Sequence, residues 1–316
     1  MQIPPRESDR RRLALSVIAC SVVSLPFALA GLRYSILIPF AWIMGWLEYR
    51  AWKRRREARR AAAESGPGEG VEVEMPNVSP LYASLSEEDA AHFRSLAAVF
   101  LNEHPVTAIA GAEVSDRTKA IVAAAAVTLL WGRPEWEYPA FGEVLIYPGI
   151  FSDDGSFRLV RNRGERGVLG MAHGLGVVIL SLPHLEGSPG LSLALHELAH
   201  ILDGPRETDG IPSQMTKAEK QEWAAVMEAE TGKGLPGRED LPRHSEERPA
   251  EFFAEAADMF FTRPALLASR RPALYDALVK VFRQDPSSCR RIQESPEAPP
   301  ACREDTPPPA SSPPQT

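Results

Sequence analysis

Residues His196-Glu197-Leu198-Ala199-His200 set two histidines four apart around a glutamate. Leu195, Leu198, Ala199 and Leu202 recur at helical spacing around them. Such a segment is a helix with one buried stripe, and residues i and i+4 stack on one face, so both imidazoles can reach one metal ion. Gly204 supplies a stop signal after it. Glu197 can address a water on that metal. Zinc lowers the pKa of such a water toward ~7, and a nearby carboxylate can take its proton as it attacks a carbonyl. The pattern points to metal-assisted hydrolysis.

A catalytic zinc keeps three protein ligands, so one more must come from elsewhere. The segment Arg248-Pro249-Ala250-Glu251-Phe252-Phe253-Ala254-Glu255-Ala256-Ala257-Asp258-Met259-Phe260-Phe261 is the best source. Pro249 suits the first turn of a helix. Glu251, Glu255 and Asp258 then form one acidic stripe on an otherwise apolar helix. A solvent-facing stripe is the plain alternative. The phenylalanine pairs and alanines argue for burial, with Glu251 as ligand and Glu255 or Asp258 supporting the histidines. Asp203, just after the motif, either orients a histidine or ends the helix. His92, His104, His173 and His184 lack metal spacing and read as ordinary surface or core residues.

Residues 80–287 read as one domain. Ser86-Glu87-Glu88-Asp89 resembles a capping signal for a helix through about Leu101, with Phe93, Leu96, Ala97 and Phe100 on one face. Asp116–Leu130 is an Ala/Val-rich buried helix. Glu143–Tyr147 and Gly176–Leu182 are β-branched runs closed by Pro148 and Pro183, hence strands. Strand 176–182 is either an edge strand that pairs with an extended peptide substrate or an ordinary core strand. Strands first and helices later make the class α+β.

Charge divides the chain. Its 35 Lys+Arg and 42 Asp+Glu give a net charge of -7. Residues 1–60 hold twelve of the bases and four of the acids, a local +8, which leaves -15 for the rest. An acidic body argues against nucleic acid as partner. Three cysteines exclude a disulfide scaffold and a cysteine-rich zinc site. The basic end encloses an apolar run, Leu13–Leu32, which resumes from Tyr34 to Leu47. A spanning helix needs ~20 residues, and basic flanks favour the cytoplasmic side. This predicts a transmembrane helical hairpin over residues 13–47, an inner-membrane location and a cytoplasmic catalytic domain. The rival reading is a signal peptide ending at Ala28-Leu29-Ala30. Residues 61–79 read as a flexible linker and 288–316 as a disordered Pro-rich tail.

His196–Asp203 (HELAHILD), Pro249–Ala254 (PAEFFA) and Phe282–Pro286 (FRQDP) together resemble the Mlc titration factor A (MtfA) family of zinc peptidases. Val114-Ser115-Asp116, the strand ending Ile146-Tyr147-Pro148 and Val177–Ser181 look like its upstream blocks. The resemblance implies an α+β zincin-like domain with a small sheet, an edge strand, the motif helix and C-terminal helices. It implies a gluzincin-type Zn2+ site of His196, His200 and Glu251, with Glu197 as base and aminopeptidase-like activity. Where the family carries a tyrosine seven residues before its ligand glutamate, this sequence has His244, which can donate to an oxyanion, bind metal or lie at the surface. The family name also points to capture of a regulatory protein, a transcription repressor, as an alternative to peptide hydrolysis.

Overall fold

The structure is a computed structural model. It describes residues 37–138, 141–152, 159, 169–173, 176–187, 190–204, 209–231, 233, 235–236, 249–287 and 290–291. His244, the apolar leg over residues 13–32 and the tail beyond residue 291 lie outside the described residues.

Helices dominate. Helix α1 spans Leu37–Ser65, α2 Glu69–Val78, α3 Pro80–Ala83, α4 Glu87–Glu103 and α5 Asp116–Leu130. Strand β1 (Val106–Ala108) lies between α4 and α5, and β2 (Val144–Tyr147), β3 (Gly170–His173) and β4 (Val177–Ser181) follow. Then come α6 (Leu182–Glu186), α7 (Gly190–Asp203), α8 (Lys217–Glu230), α9 (Pro249–Thr262), α10 (Pro264–Arg270) and α11 (Pro272–Phe282). A two-residue pair, β5 (Gln284–Asp285) with β6 (Arg290–Arg291), ends the described chain.

The expected α+β class with a membrane hairpin is therefore corrected to a mainly helical fold with a small mixed sheet. The strands are only two to five residues long, and helices make up most of the described chain. The sheet order is β1-β2-β4-β3, with β1, β2 and β4 parallel and β3 antiparallel to β4. Strand β4 is thus interior, and its Val178 to Ser181 are all buried. The core-strand reading of 176–182 is the one the fold takes, and β3 is the edge.

Among the described residues no helix is long and apolar enough to cross a membrane. The described part of the expected returning leg, Leu37–Leu47, is not a separate span. It runs without a break through Lys53–Arg60 as part of α1, where the arginines rule out a span. This overturns the expected inner-membrane anchor and the location inferred from it. The distal half of α1 docks on α4: Arg59 Nη1 pairs with Glu103 Oε1 at 3.2 Å, and Ser95 Oγ donates to the Ala63 carbonyl at 3.3 Å. Its proximal half exposes Trp42, Ile43, Met44, Trp46, Leu47 and Tyr49.

The segment expected as a linker, 61–79, contains the end of α1 and all of α2. Gly66 and Gly68 take left-handed φ angles of 72° and 103° at the turn between the two helices. Val71, Met75 and Val78, at i, i+4 and i+7, are buried against α5. Caps fall where the sequence signals them. Ser86 Oγ accepts from the Asp89 amide at 3.2 Å, and Ser115 and Thr216 form capping boxes. Helix α5 is buried over nearly its whole length and packs on α2, α4 and α7.

The C-terminal helices are tied to α5 through buried polar groups. Arg133, only 1 % exposed, donates to the carbonyls of Val281 (2.7 Å) and Lys280 (2.8 Å) and to Glu219 Oε1 (2.7 Å). It thereby satisfies the open carbonyls at the end of α11. Gln284 Nε2, from the Phe282–Pro286 block, donates to the Thr128 carbonyl at 2.9 Å.

Candidate metal centre

Helix α7 carries the paired histidines beside a fully buried apolar stripe. Leu195, Leu198, Ala199 and Leu202 are at most 1 % exposed and face α5, α9 and the sheet. Burying each leucine contributes about 1.5–3 kcal/mol, which fixes the rotation of the helix. That rotation leaves His196 and His200 half-buried on the remaining face. Gly204, at φ 111°, ends the helix.

Helix α9 lies alongside α7 and is held there by Phe252, Phe253, Ala256 and Phe260, all buried. Trp223 from α8 and Phe282 from α11 pack on Phe253. Glu251, in the first turn of α9, thereby reaches the two histidines. His196 Nε2 and His200 Nε2 are 3.3 Å apart, and Glu251 Oε2 lies 3.5 Å from the first and 3.6 Å from the second. These three are the residues among those described whose ligand atoms cluster as a metal-binding group.

The donor set fits a metal. Tetrahedral coordination at zinc-like bond lengths puts neighbouring ligand atoms about 3.3–3.4 Å apart. The observed triangle of 3.3, 3.5 and 3.6 Å matches that spacing. Two imidazole nitrogens and one carboxylate oxygen are also the donors a borderline divalent cation prefers.

Electrostatics favour a cation here. Burial works hardest against a charged His196. Even so, its hydrogen bond to Glu251 and the charges of Glu197, Glu251 and Asp258 together raise its pKa above the ordinary value. Hydrogen bonds from His196 and His200 hold the Glu251 carboxyl well below its usual range, so it is ionised throughout the physiological range. Asp258, 1 % exposed, belongs to the same field, and Thr262 Oγ1 donates to its carbonyl at 2.7 Å. Glu255, half-buried, sits one turn beyond Glu251 on α9.

Glu197 is 6 % exposed and lies between α7 and the edge strand β3. Asp203 turns away from the histidines. Its carboxylate accepts from the amides of Gly210 (3.1 Å) and Ile211 (3.0 Å) and pins the returning loop to the end of α7. Burial pushes its pKa up to about 7, against the opposing pull of those two amides.

Strand β3 and Gly170 are what the sequence reading missed. The signal was present: an apolar run ending at His173, then Gly174-Leu175-Gly176, then Val177–Ser181 forms a hairpin pattern. Three of the other histidines make contacts elsewhere. His104 is buried and stacked on Phe141 at 3.8 Å, His92 packs near Trp131, and exposed His184 pairs with Ser181 Oγ at 2.9 Å. His173 lies on β3.

Comparison with known proteins gives one concordant result. The model of a family described as glucose-regulated metallo-peptidase M90 matches residues 49–283. A Klebsiella pneumoniae protein named Mlc titration factor A is 31% identical over 255 residues, 73% of this chain and 92% of its own length. A protein of the same name from Salmonella gallinarum is 31% identical over 231 residues, 67% of this chain and 86% of its own.

Proposed function

The chain belongs to the glucose-regulated metallo-peptidase family, the family of Mlc titration factor A, and from that premise we propose that it is a zinc-dependent peptidase with Glu197 as its general base. Membership implies a divalent metal, and the choice of zinc rests on the two histidines and one glutamate. The observation that carries the reading is the triangle of His196, His200 and Glu251, with Glu197 on the same helix turn.

Zinc held by these three residues supplies a Lewis acid for a carbonyl and lowers the pKa of water toward about 7. The chain's own residues do the rest. His196 and His200 would hold the metal through ring nitrogens, and the charge of Asp258 acts on His196. Glu197 takes a proton from the attacking water and returns it to the leaving amine. A peptide in extended form lies along β3, the edge of the sheet among the described residues, beside Glu197. His244 donates a hydrogen bond to the developing oxyanion, and aminopeptidase-like specificity accompanies it.

Metal analysis of the purified chain, with turnover of a panel of chromogenic amino-acid and peptide substrates, tests this. One zinc per chain with turnover that Glu197→Gln removes is the expected result. Zinc with no turnover on any substrate refutes the peptidase reading. The second reading is a peptidase-fold protein that captures a regulatory protein. It is favoured by the relatives' name, which describes a factor that titrates Mlc.

A further inference from the structure

We infer that Gly170 is a positioning residue for the Glu197 carboxylate, an inference that rests on the reading of Glu197 as the base. Gly170 opens the edge strand β3, where it pairs with Leu180 of β4. Its backbone does not require glycine. Among the described residues the glycines with left-handed φ are 66, 68, 111, 176, 204 and 210, so Gly170 adopts a conformation open to any residue. A glycine inside a strand also weakens it, because it adds backbone entropy and packs no side chain. Something else must account for its presence.

Space accounts for it. A Cβ at position 170 would lie 2.5 Å from Glu197 Oε1, 2.7 Å from its Cγ and 2.8 Å from its Cδ. All three of its nearest atoms belong to this one side chain, so the room a methyl needs is taken by the Glu197 carboxylate. That carboxylate sits between α7 on one side and the strand backbone on the other, at 6 % exposure. The bare strand leaves room for it against β3, where its charge acts on His196.

Added at 170, a methyl meets side-chain atoms of Glu197 from Cγ outward rather than backbone, so it is accommodated by moving that side chain. Glu197 swings to another rotamer, and the base leaves its place. A displacement of about 1 Å at a reacting group can cost ~100-fold in rate. The ligand triangle, which involves no contact with Gly170, stays intact.

The test is Gly170→Ala in the zinc-loaded, full-length chain. The crystal structure of the variant is expected to show the Glu197 carboxylate displaced. Zinc per chain and Tm should match the parent, KM should stay within about twofold, and kcat should fall at least about tenfold. A carboxylate that stays in place, or a kcat within twofold of the parent, overturns the inference. Should Gly170→Ala fold poorly, Gly170→Ala with Glu197→Ala removes the collision. Recovery of Tm in that double variant supports the inference, and no recovery overturns it. A parent with no peptide turnover defeats the function proposed above, whereas displacement of the carboxylate reads out on its own.

Discussion

His196 and His200 bring their Nε2 atoms to 3.3 Å of each other although their ring planes cross at 82°. One helical turn separates them, and Glu251 from a second helix closes the third corner. Glu251→Ala is therefore expected to weaken metal binding more than about 100-fold, and Glu255→Ala by about tenfold or less. Competition with a chromophoric chelator measures both. The reverse ranking moves the third ligand to Glu255.

Glu197→Gln keeps the size and most of the packing of the side chain but cannot accept a proton. Turnover should fall by at least about 100-fold with bound metal unchanged. Steady-state kinetics beside metal analysis decide it, and retained turnover would sink the mechanism.

Asp203 couples stability to pH. Its carboxyl rises from 3.8 to about 7 on folding because burial disfavours the charge. The folded state thus holds a proton that the unfolded state has lost, and between these values stability falls as pH rises. Tm should decline by several degrees from pH 4 to pH 7, all else corrected for, and Asp203→Asn should flatten that slope. Thermal melts across the range check it, and an unchanged slope in the variant assigns the dependence elsewhere.

Arg133→Met leaves the Val281 and Lys280 carbonyls without their Arg133 donors and removes one of the partners of Glu219, which keeps the Thr216 amide and Arg283. Leaving a buried carbonyl unsatisfied costs about 1–3 kcal/mol. Urea denaturation should show the loss in the midpoint. Zinc affinity of the remaining folded protein should be unchanged, since Arg133 touches none of the ligand helices' site residues.

How much of this was visible in the residues varies by element. The α7 and α9 sequences carry strong 3.6-residue periodicity together with rare polar residues at set positions, so both helices and their meeting were legible. Strand β3 was less so: its glycine and alanine give little β signal by themselves, and only the hairpin pattern with Val177–Ser181 marks it. Helix α2 hid behind Gly66-Pro67-Gly68, whose turn chemistry suggested a linker although Val71, Met75 and Val78 already kept helical spacing. At the N-terminus, composition alone suggested a membrane segment. The continuity of one 29-residue helix from Leu37 into the arginine cluster depends on its docking with α4, a contact distant in sequence.

The position of Glu251 on α9 has one last consequence. It lies 51 residues beyond His200, so the three donors meet only when the chain has closed a long loop between two helices. That closure carries an entropic cost that the packing of α7 on α9 has already met in the folded state. An unfolded chain has no such meeting point, and ion uptake at this site becomes a reporter of tertiary assembly. Each variant that loosens the α7–α9 contact should lose affinity for the ion in proportion to its lost stability, even with all three donors intact.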